Sequence, residues 1–477
     1  MFKQLARDGS IYAAGAIVSR GLALLAAPVY THFLEPAGYG ALDLILTAGV
    51  LLTLVVALEV GQGLAREWAA LPDSKAQRRM AGTAVCFTAL MHGGFLAVAL
   101  PFSESLSEAI YGTTDRSNVV QAGLVYIAWN ALYLQLQAQF RWSMRPLSYV
   151  AISVMYGVLT LMLGYSLGRQ WGVAGVLVGQ TLAAASAVGI SLWALRTQFE
   201  WGLDLKYLRN MLAYSMPLAP SGLATFGSFH VNRFILNAYA DLDQVGYYAM
   251  ASKVAAVTAL LTVGIQTALT PLVYRYHEAP ETPSQLVRLL EGFTTAALVL
   301  SLGLTLYAQE LVLWFSGPAY LPGAVLVAWL VPATLLSQMY VFFPGLALAR
   351  RTVTQLLITV LSGFVALCLN LVLIPIKQGQ GAAISTLITA VFYLGVWIYV
   401  SQQSYRLPIR LGRIALAIFT YIALLGVASF MNSFELVSSL AHLAKLGLLI
   451  SMAIVCGLLR LFRIQSATKP PVDYEHP

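Results

Sequence analysis

The chain has 477 residues, of which 59% are hydrophobic and only 10% charged, against about 25% charged in soluble globular proteins. So little charge cannot clothe a soluble surface, and the composition defines a polytopic membrane protein. The net charge of +8 comes from short basic clusters between apolar runs, a pattern that orients membrane helices and excludes a nucleic-acid-binding face.

Runs of about 20 apolar residues predict fourteen spans, centred in 10–33, 41–64, 80–102, 119–140, 147–167, 172–195, 209–237, 244–273, 286–307, 322–346, 353–374, 380–401, 411–431 and 441–461. Lys3 and Arg7 precede the first run and Arg20 interrupts it, so it reads as a first membrane helix rather than a secretory leader. The pairs 147–195 and 353–401 have very short connections. Pro28, Pro217, Pro220, Pro332 and Pro344 fall inside spans, where kinks are tolerated. Cys86, Cys368 and Cys456 stand alone in apolar segments, which gives neither a disulfide framework nor a zinc site.

Lys and Arg fix an expected orientation. With the amino terminus in the cytoplasm, 21 of the 28 basic residues fall on the cytoplasmic side, from Lys3 and Arg7 through Arg350 and Arg351 to Arg460, Arg463 and Lys469. The opposite side receives Arg116, Arg169 and Lys377, while Arg20, Arg233, Lys253 and Lys445 lie within spans. Both termini are therefore expected in the cytoplasm.

An internal repeat recurs at an offset of roughly 207 residues. Leu34-Glu35-Pro36-Ala37-Gly38-Tyr39 matches Leu242-Asp243-Gln244-Val245-Gly246-Tyr247, each in the turn between a first and a second helix. Ile110-Tyr111-Gly112 matches Phe315-Ser316-Gly317, and Gly172 and Gly175 match Gly379 and Gly381. Six spans separate equivalent points, so the halves share one orientation, as in transporters whose site lies between parallel repeats. The expected divisions are an N-lobe (1–203), a C-lobe (204–404), two extra helices (405–463) and a cytoplasmic tail (464–477).

Three stretches carry a family resemblance: APVYTHFLEPAGYGAL at 27–42, VNRFILNAYADLDQVGYYAMASK at 231–253 and LNLVLIPIKQGQGAAISTLI at 369–388. The chain resembles the polysaccharide transporter family of flippases, in the superfamily that includes multidrug-and-toxin extruders and lipid II flippases. The resemblance covers spans 1–12 in order. It implies two six-helix lobes around a cavity open alternately to either side, and a polyprenyl-pyrophosphate-linked oligosaccharide as cargo. It also implies residence in the bacterial cytoplasmic membrane. The two extra spans resemble the fourteen-span layout of the lipid II flippases.

Charged and polar residues inside spans are the candidate sites. Arg20 shares a face with Ala13, Ala16, Ala23 and Ala27. An arginine at mid-membrane costs about 2.5–3.5 kcal/mol, offset either by a pyrophosphate or acidic sugar or by an ion pair with Glu59 or Asp43. Glu59 shares a face with Gln62 and Arg66 and reads as an ion- or proton-coupling carboxylate, or as a neutraliser of Arg20 or Arg66. Asp43 stands one turn from the outer end of its span and is the second, weaker coupling candidate.

Tyr126, Asn130, Tyr133 and Gln137, at spacings of four, three and four, form a face suited to sugar hydroxyls or to helix pairing. Gln135 and Gln139 mark a separate face of the same helix. In span 7, Ser221, Thr225, Ser228 and Asn232 make a polar seam, with Arg233 and Asn237 beside it. Arg233 and Lys253 are candidate anion contacts; the competing readings are pairing of Arg233 with Asp241 or Asp243, and snorkelling of Lys253 to the interface.

No HExxH, nucleophile triad or nucleotide-binding glycine loop is present in the chain, so no bond-making chemistry and no cofactor are expected. The function expected is an all-α, fourteen-helix flippase for an anionic lipid-linked oligosaccharide, with polysaccharide polymerase machinery as a candidate partner. The alternatives are a cation-coupled multidrug extruder and a membrane polysaccharide polymerase or ligase.

Overall fold

The computed structural model describes residues 2–68, 71, 73–431 and 438–459. Helix is the only regular structure among them, which satisfies every backbone group within its own segment, as hydrocarbon demands. The expected tail at 464–477, with Arg460 and Arg463, lies outside the described residues.

The first lobe contains α1 (Phe2–Thr31), α2 (Pro36–Ala57), α3 (Val60–Trp68), α4 (Ser74–Ala99), α5 (Ser103–Tyr111), α6 (Ser117–Trp142) and α7 (Pro146–Ala194). The second begins with α8 (Leu205–Ser215), α9 (Ala219–Phe229), α10 (Asn232–Tyr239), α11 (Leu242–Ala256) and α12 (Ala259–Tyr276). It continues through α13 (Thr282–Leu306), α14 (Ala308–Ser316), α15 (Ala324–Gln338), α16 (Gly345–Leu348) and α17 (Thr352–Ser404). The hairpin α18 (Leu411–Met431) and α19 (Ser438–Leu458) leans on α13. The end of the molecule carrying the Leu34–Pro36 and Ala240–Asp241 turns is called upper below, and the opposite end lower.

Ten helical stretches among the described residues are long and apolar enough to cross a bilayer. Two of them double back. In α7, Gly175 and Gly179 face the backbone of Leu167 and Leu163, and in α17 Gly381 faces that of Leu373. Each is therefore a pair of antiparallel helices, turned at Gly172 (φ 60°, ψ −138°) and at Gln378 (φ 47°, ψ −127°). A Cβ on any of the three packing glycines would overlap a carbonyl or carbon of the facing backbone, so small residues set the closeness of these pairs.

Other spans are broken. Leu58 and Glu59, both at positive φ (48° and 56°), separate α2 from α3. The segment 205–239 is interrupted by a 3₁₀ turn at Met216–Leu218 around Pro217, and again between α9 and α10. Asp204 and Asp241 cap α8 and α11 by accepting from backbone N–H groups of the first turn, which satisfies donors that an open helix end leaves free.

The lobes meet at the upper end. A Cβ on Gly40 would overlap the Leu242 carbonyl, and one on Gly246 the Pro36 carbonyl, so α2 and α11 cross backbone to backbone. Tyr320 donates to the Leu34 carbonyl at 2.8 Å, while Tyr39 and Tyr247, equivalent in the repeat, both stand edge-on to its ring. At the lower end α8 packs into the first lobe: Leu208 and Met211 join Val60, Leu64, Met80 and Ala84 in one apolar cluster. Above Met216–Leu218, α9 and α10 pack on α17 instead. Span 7 changes lobe at its break.

Candidate functional site

Two cavities are relevant to the site, one lined by residues of both lobes and one by residues of the first lobe alone. The smaller, about 350 Å³, is lined by residues of α1, α2, α6, both halves of α7, and α11. Its wall carries five tyrosines, Tyr30, Tyr39, Tyr126, Tyr133 and Tyr156, together with Gln137, Ser153, Thr160 and Gln180. The larger, about 820 Å³, runs toward the lower end between α2, α3 and α6, and includes Glu59, Gln62, Asn130, Gln135 and Arg141. Tyr126 lines both.

The polar face of α6 is legible in its spacing, and its partner is α7. Tyr126 and Tyr156 share a hydrogen bond between hydroxyls at 3.2 Å, and Tyr156 donates to Asn130 Oδ1 at 3.1 Å. Gln137 Nε2 donates to Tyr133 OH at 2.9 Å and to Ser153 Oγ at 2.6 Å. The Tyr133 and Tyr156 rings stack with centroids 4.1 Å apart. Tyr30 donates to the Thr160 carbonyl at 2.7 Å. Side chains tied in this way keep their rotamers, so the chamber wall is preorganised. Tyr149, Ser153, Tyr156 and Thr160 repeat the four, three, four spacing of α6, and that signal was available in the sequence. Gln135 and Gln139 are buried on the other face of α6, each leaving Nε2 without a partner among the described residues.

Arg233 is placed differently from either expected pairing. Its Nε donates to Asp43 Oδ2 at 2.6 Å, its guanidinium lies 5.2 Å from the Tyr248 ring centroid, and both ion-pair partners are nearly buried. Asp241 instead caps α11, accepting from Gln244 N at 2.8 Å. The Arg233–Asp43 pair thus joins α10 of one lobe to α2 of the other. Asn232 Nδ2 donates to Tyr248 OH at 2.6 Å and to Thr386 Oγ1 at 3.2 Å, which ties α10 to α11 and α17. Asn237 reaches across to the Ile110 carbonyl at 2.9 Å.

Lys253 reaches the tyrosine chamber from α11, half-buried, and makes no hydrogen bond or ion pair with the described residues. Arg20 is exposed and likewise unpaired among the described residues; it follows Ser19 and lies one turn below Ala23, both of which line the chamber. Glu59 sits at the break between α2 and α3, on the wall of the larger cavity, and pairs with neither Arg20 nor Arg66. Arg66 rests over the Tyr214 ring at 4.8 Å. Far from the interface, Lys445 pairs with Glu310 and lies over Tyr307. No group of three metal-ligating side chains occurs among the described residues.

Two lobes packed together, in an all-helical chain with long apolar spans, define a multi-pass membrane protein of transporter fold. The family described as polysaccharide biosynthesis protein matches residues 5–277, and the chain belongs to it. Lipid III flippases of Escherichia coli (strain K12) and Shigella flexneri are each 24% identical over 411 residues, covering 82% of this chain and 97% of theirs. Among solved structures, the lipid II flippase MurJ in an inward closed conformation superposes with a TM-score of 0.75 at 12% identity, covering 94% of this chain and 97% of its own. An inward-facing multidrug resistance MATE family transporter superposes with a TM-score of 0.62 at 15% identity, covering 80% and 93%. These likenesses agree with the all-helical, two-lobed fold expected from the sequence.

Proposed function

We propose that this protein is a flippase that moves a polyprenyl-pyrophosphate-linked, anionic oligosaccharide from the inner to the outer leaflet of the bacterial cytoplasmic membrane, for cell-surface or exopolysaccharide assembly. One observation carries this reading: an unpaired cation, Lys253, stands on the wall of a cavity that presents five tyrosines, Gln137 and Gln180 among apolar side chains, and a second, Arg20, follows Ser19 of that wall. Such a wall offers two-way hydrogen bonds to sugar hydroxyls, and cations within a membrane call for an anionic partner. The family membership and the lipid III flippase relatives support the same class of cargo. An extruder of cations would need free carboxylates there, and Asp43, the carboxylate on that wall, is held by Arg233.

Each doubled stretch taken as two crossings, and α2–α3, α8–α10 and α11–α12 as one broken crossing each, gives fourteen in all. With both termini cytoplasmic, the upper end faces outward and the larger cavity faces the cytoplasm. Substrate then enters from below while the upper ends are closed, and rocking of the lobes exposes it above. Glu59, free on the cavity wall, is the group placed to couple a cation or proton to that cycle. Polysaccharide polymerase machinery would receive the flipped product.

Mass spectrometry of polyprenyl-linked glycans from cells lacking the gene tests this. One completed lipid-linked oligosaccharide should accumulate, and wild-type protein should clear it. An unchanged lipid pool together with retention of cationic dyes would overturn the proposal in favour of an extruder.

A further inference from the structure

Residues 195–204 join the lobes at the lower end, between α7 and α8. The later part of this connection is a strap without regular structure, laid on α4. The Glu200 N–H donates to the Arg78 carbonyl at 3.1 Å, the Thr83 hydroxyl donates to the Gly202 carbonyl at 3.3 Å, and the Asp204 N–H donates to that hydroxyl at 3.1 Å. Arg79 Nε pairs with Asp204 Oδ2 at 3.0 Å, and a Cβ on Gly82 would overlap the Glu200 carbonyl. Every second residue is thus tied to the helix. Trp201, Leu203 and Leu205, between and after these ties, are 57%, 42% and 71% exposed. Trp193, on the last turn of α7, is exposed as well. Large apolar side chains held in the open by a fixed backbone mark a contact surface.

Cations edge this ledge. The Arg196 guanidinium stands 4.9 Å from the Trp193 ring centroid, Lys206 follows Leu205, and Arg209 lies one turn beyond Leu205 on the same face of α8. All three are exposed and lack an acidic partner among the described residues, while Asp204 beside them is already spent on Arg79. Position decides what meets such a surface. The second half of α7 ends at Ala194, and the segment 205–239 begins at Leu205, so two spans leave the membrane here. A strap pinned flat between two span ends lies at the depth of the lipid headgroups. Tryptophan favours that layer, leucine reaches the acyl boundary beneath it, and Lys and Arg are drawn to anionic headgroups.

We propose that the connection between the lobes is an anchor for anionic phospholipid at the lower face of the bilayer. Trp201, Leu203 and Leu205 enter the headgroup layer, and Arg196, Lys206 and Arg209 hold lipid phosphates around them. The strap packs on α4, and α8 shares an apolar cluster with α3 and α4, so the grip falls on the rim of the first lobe, outside both cavities. Nothing in this anchor depends on the cargo.

Spin labels test the anchor. The full chain carrying Cys86→Ala and Cys368→Ala, with buried Cys456 kept, is labelled at Leu203→Cys or, as an exposed reference at the start of α4, at Lys75→Cys. Each is placed in vesicles of phosphatidylcholine, with or without one-third phosphatidylglycerol. The Leu203 label should collide with oxygen more often, and with a water-borne nickel chelate less often, than the Lys75 label. Phosphatidylglycerol should roughly halve its remaining nickel collisions. Lys206→Gln with Arg209→Gln should cancel that gain while the oxygen preference stays. Equal nickel access at the two positions in both lipids overturns the anchor, and a depth unchanged by phosphatidylglycerol overturns its choice of headgroup. A Leu203 label shielded from oxygen and nickel alike would mean that a second copy covers the ledge, and overturns the anchor as well. The chain with its cysteines untouched gives an independent readout: brominated phosphatidylglycerol should quench its tryptophan emission, and Trp201→Phe should lose part of that quenching. Equal fractional quenching in the two chains counts against the anchor.

Discussion

The two ends of the interface between the lobes are built from different materials. At the upper end α2 and α11 touch through Gly40 and Gly246 at backbone distance, locked by Arg233–Asp43 and by the Tyr320 hydroxyl on Leu34. At the lower end α3 and α8 meet through apolar side chains, with Gly63 against the Met211 backbone, beside an open cavity of about 820 Å³. A backbone crossing with a buried ion pair is either made or lost; it does not slide. Apolar packing tolerates small shifts. The breaks at Leu58–Glu59 and Met216–Leu218 stand four and five residues above the Gly63–Met211 contact, so they lie nearly level. The upper end therefore acts as a latch, and the α3–α8 pair as a unit below two hinges.

The largest disturbance of this contrast should come from the ion pair. Arg233→Met leaves Asp43 uncompensated and is expected to cost about 3–5 kcal/mol, read as a lowered midpoint of thermal unfolding in detergent, with transport lost. Replacing both partners (Asp43→Leu with Arg233→Met) should cost less than either single change; a double variant worse than both would mean that the pair is more than a latch. Gly40→Leu forces a side chain into the α2–α11 crossing and should cost about 1–3 kcal/mol. It should also expose the upper cleft to a membrane-impermeant thiol reagent directed at a cysteine introduced at Asn237.

At the first hinge the sign reverses. Leu58→Gly removes the penalty of a left-handed residue and should stabilise the fold by about 1 kcal/mol, with calorimetry as the check. The smallest effect belongs to a pair outside the contrast altogether. Glu310→Gln breaks a partly exposed contact on the α18–α19 side and should stay within about 1 kcal/mol, with clearance of the lipid-linked pool intact.

Much of this architecture is visible in the sequence because periodicity and turns are local properties. The equivalent Gly-Tyr turns at 38–39 and 246–247, the short connections inside 147–195 and 353–401, and the polar face from Tyr126 to Gln137 each follow from spacing alone. The partner of Arg233 does not. Asp43 is 190 positions away, and nearer acids at 241 and 243 compete on sequence distance. The break at Leu58–Glu59 was less legible, since neither residue itself disfavours a helix and the glycines nearby, Gly61 and Gly63, fall after it, inside α3. The break at Met216–Leu218 was foreshadowed by Pro217. Tyr30, Tyr39 and Gln180 belong to no polar spacing pattern of their own, and become a wall only where α1, α2, α6, α7 and α11 come together.

The passage of α8 into the first lobe has a consequence for inheritance. If relatives of this chain trade cargo by recombining their halves, a crossover in the 196–204 connection would seat one parent's α8 against the other parent's α3 and α4, mismatching the Leu208 and Met211 contacts with Val60, Leu64 and Met80. A crossover at Met216–Leu218 keeps that cluster together and parts the molecule where its packing already changes sides. Viable chimeras should have their seams there, one helix later than the point at which the repeat begins again.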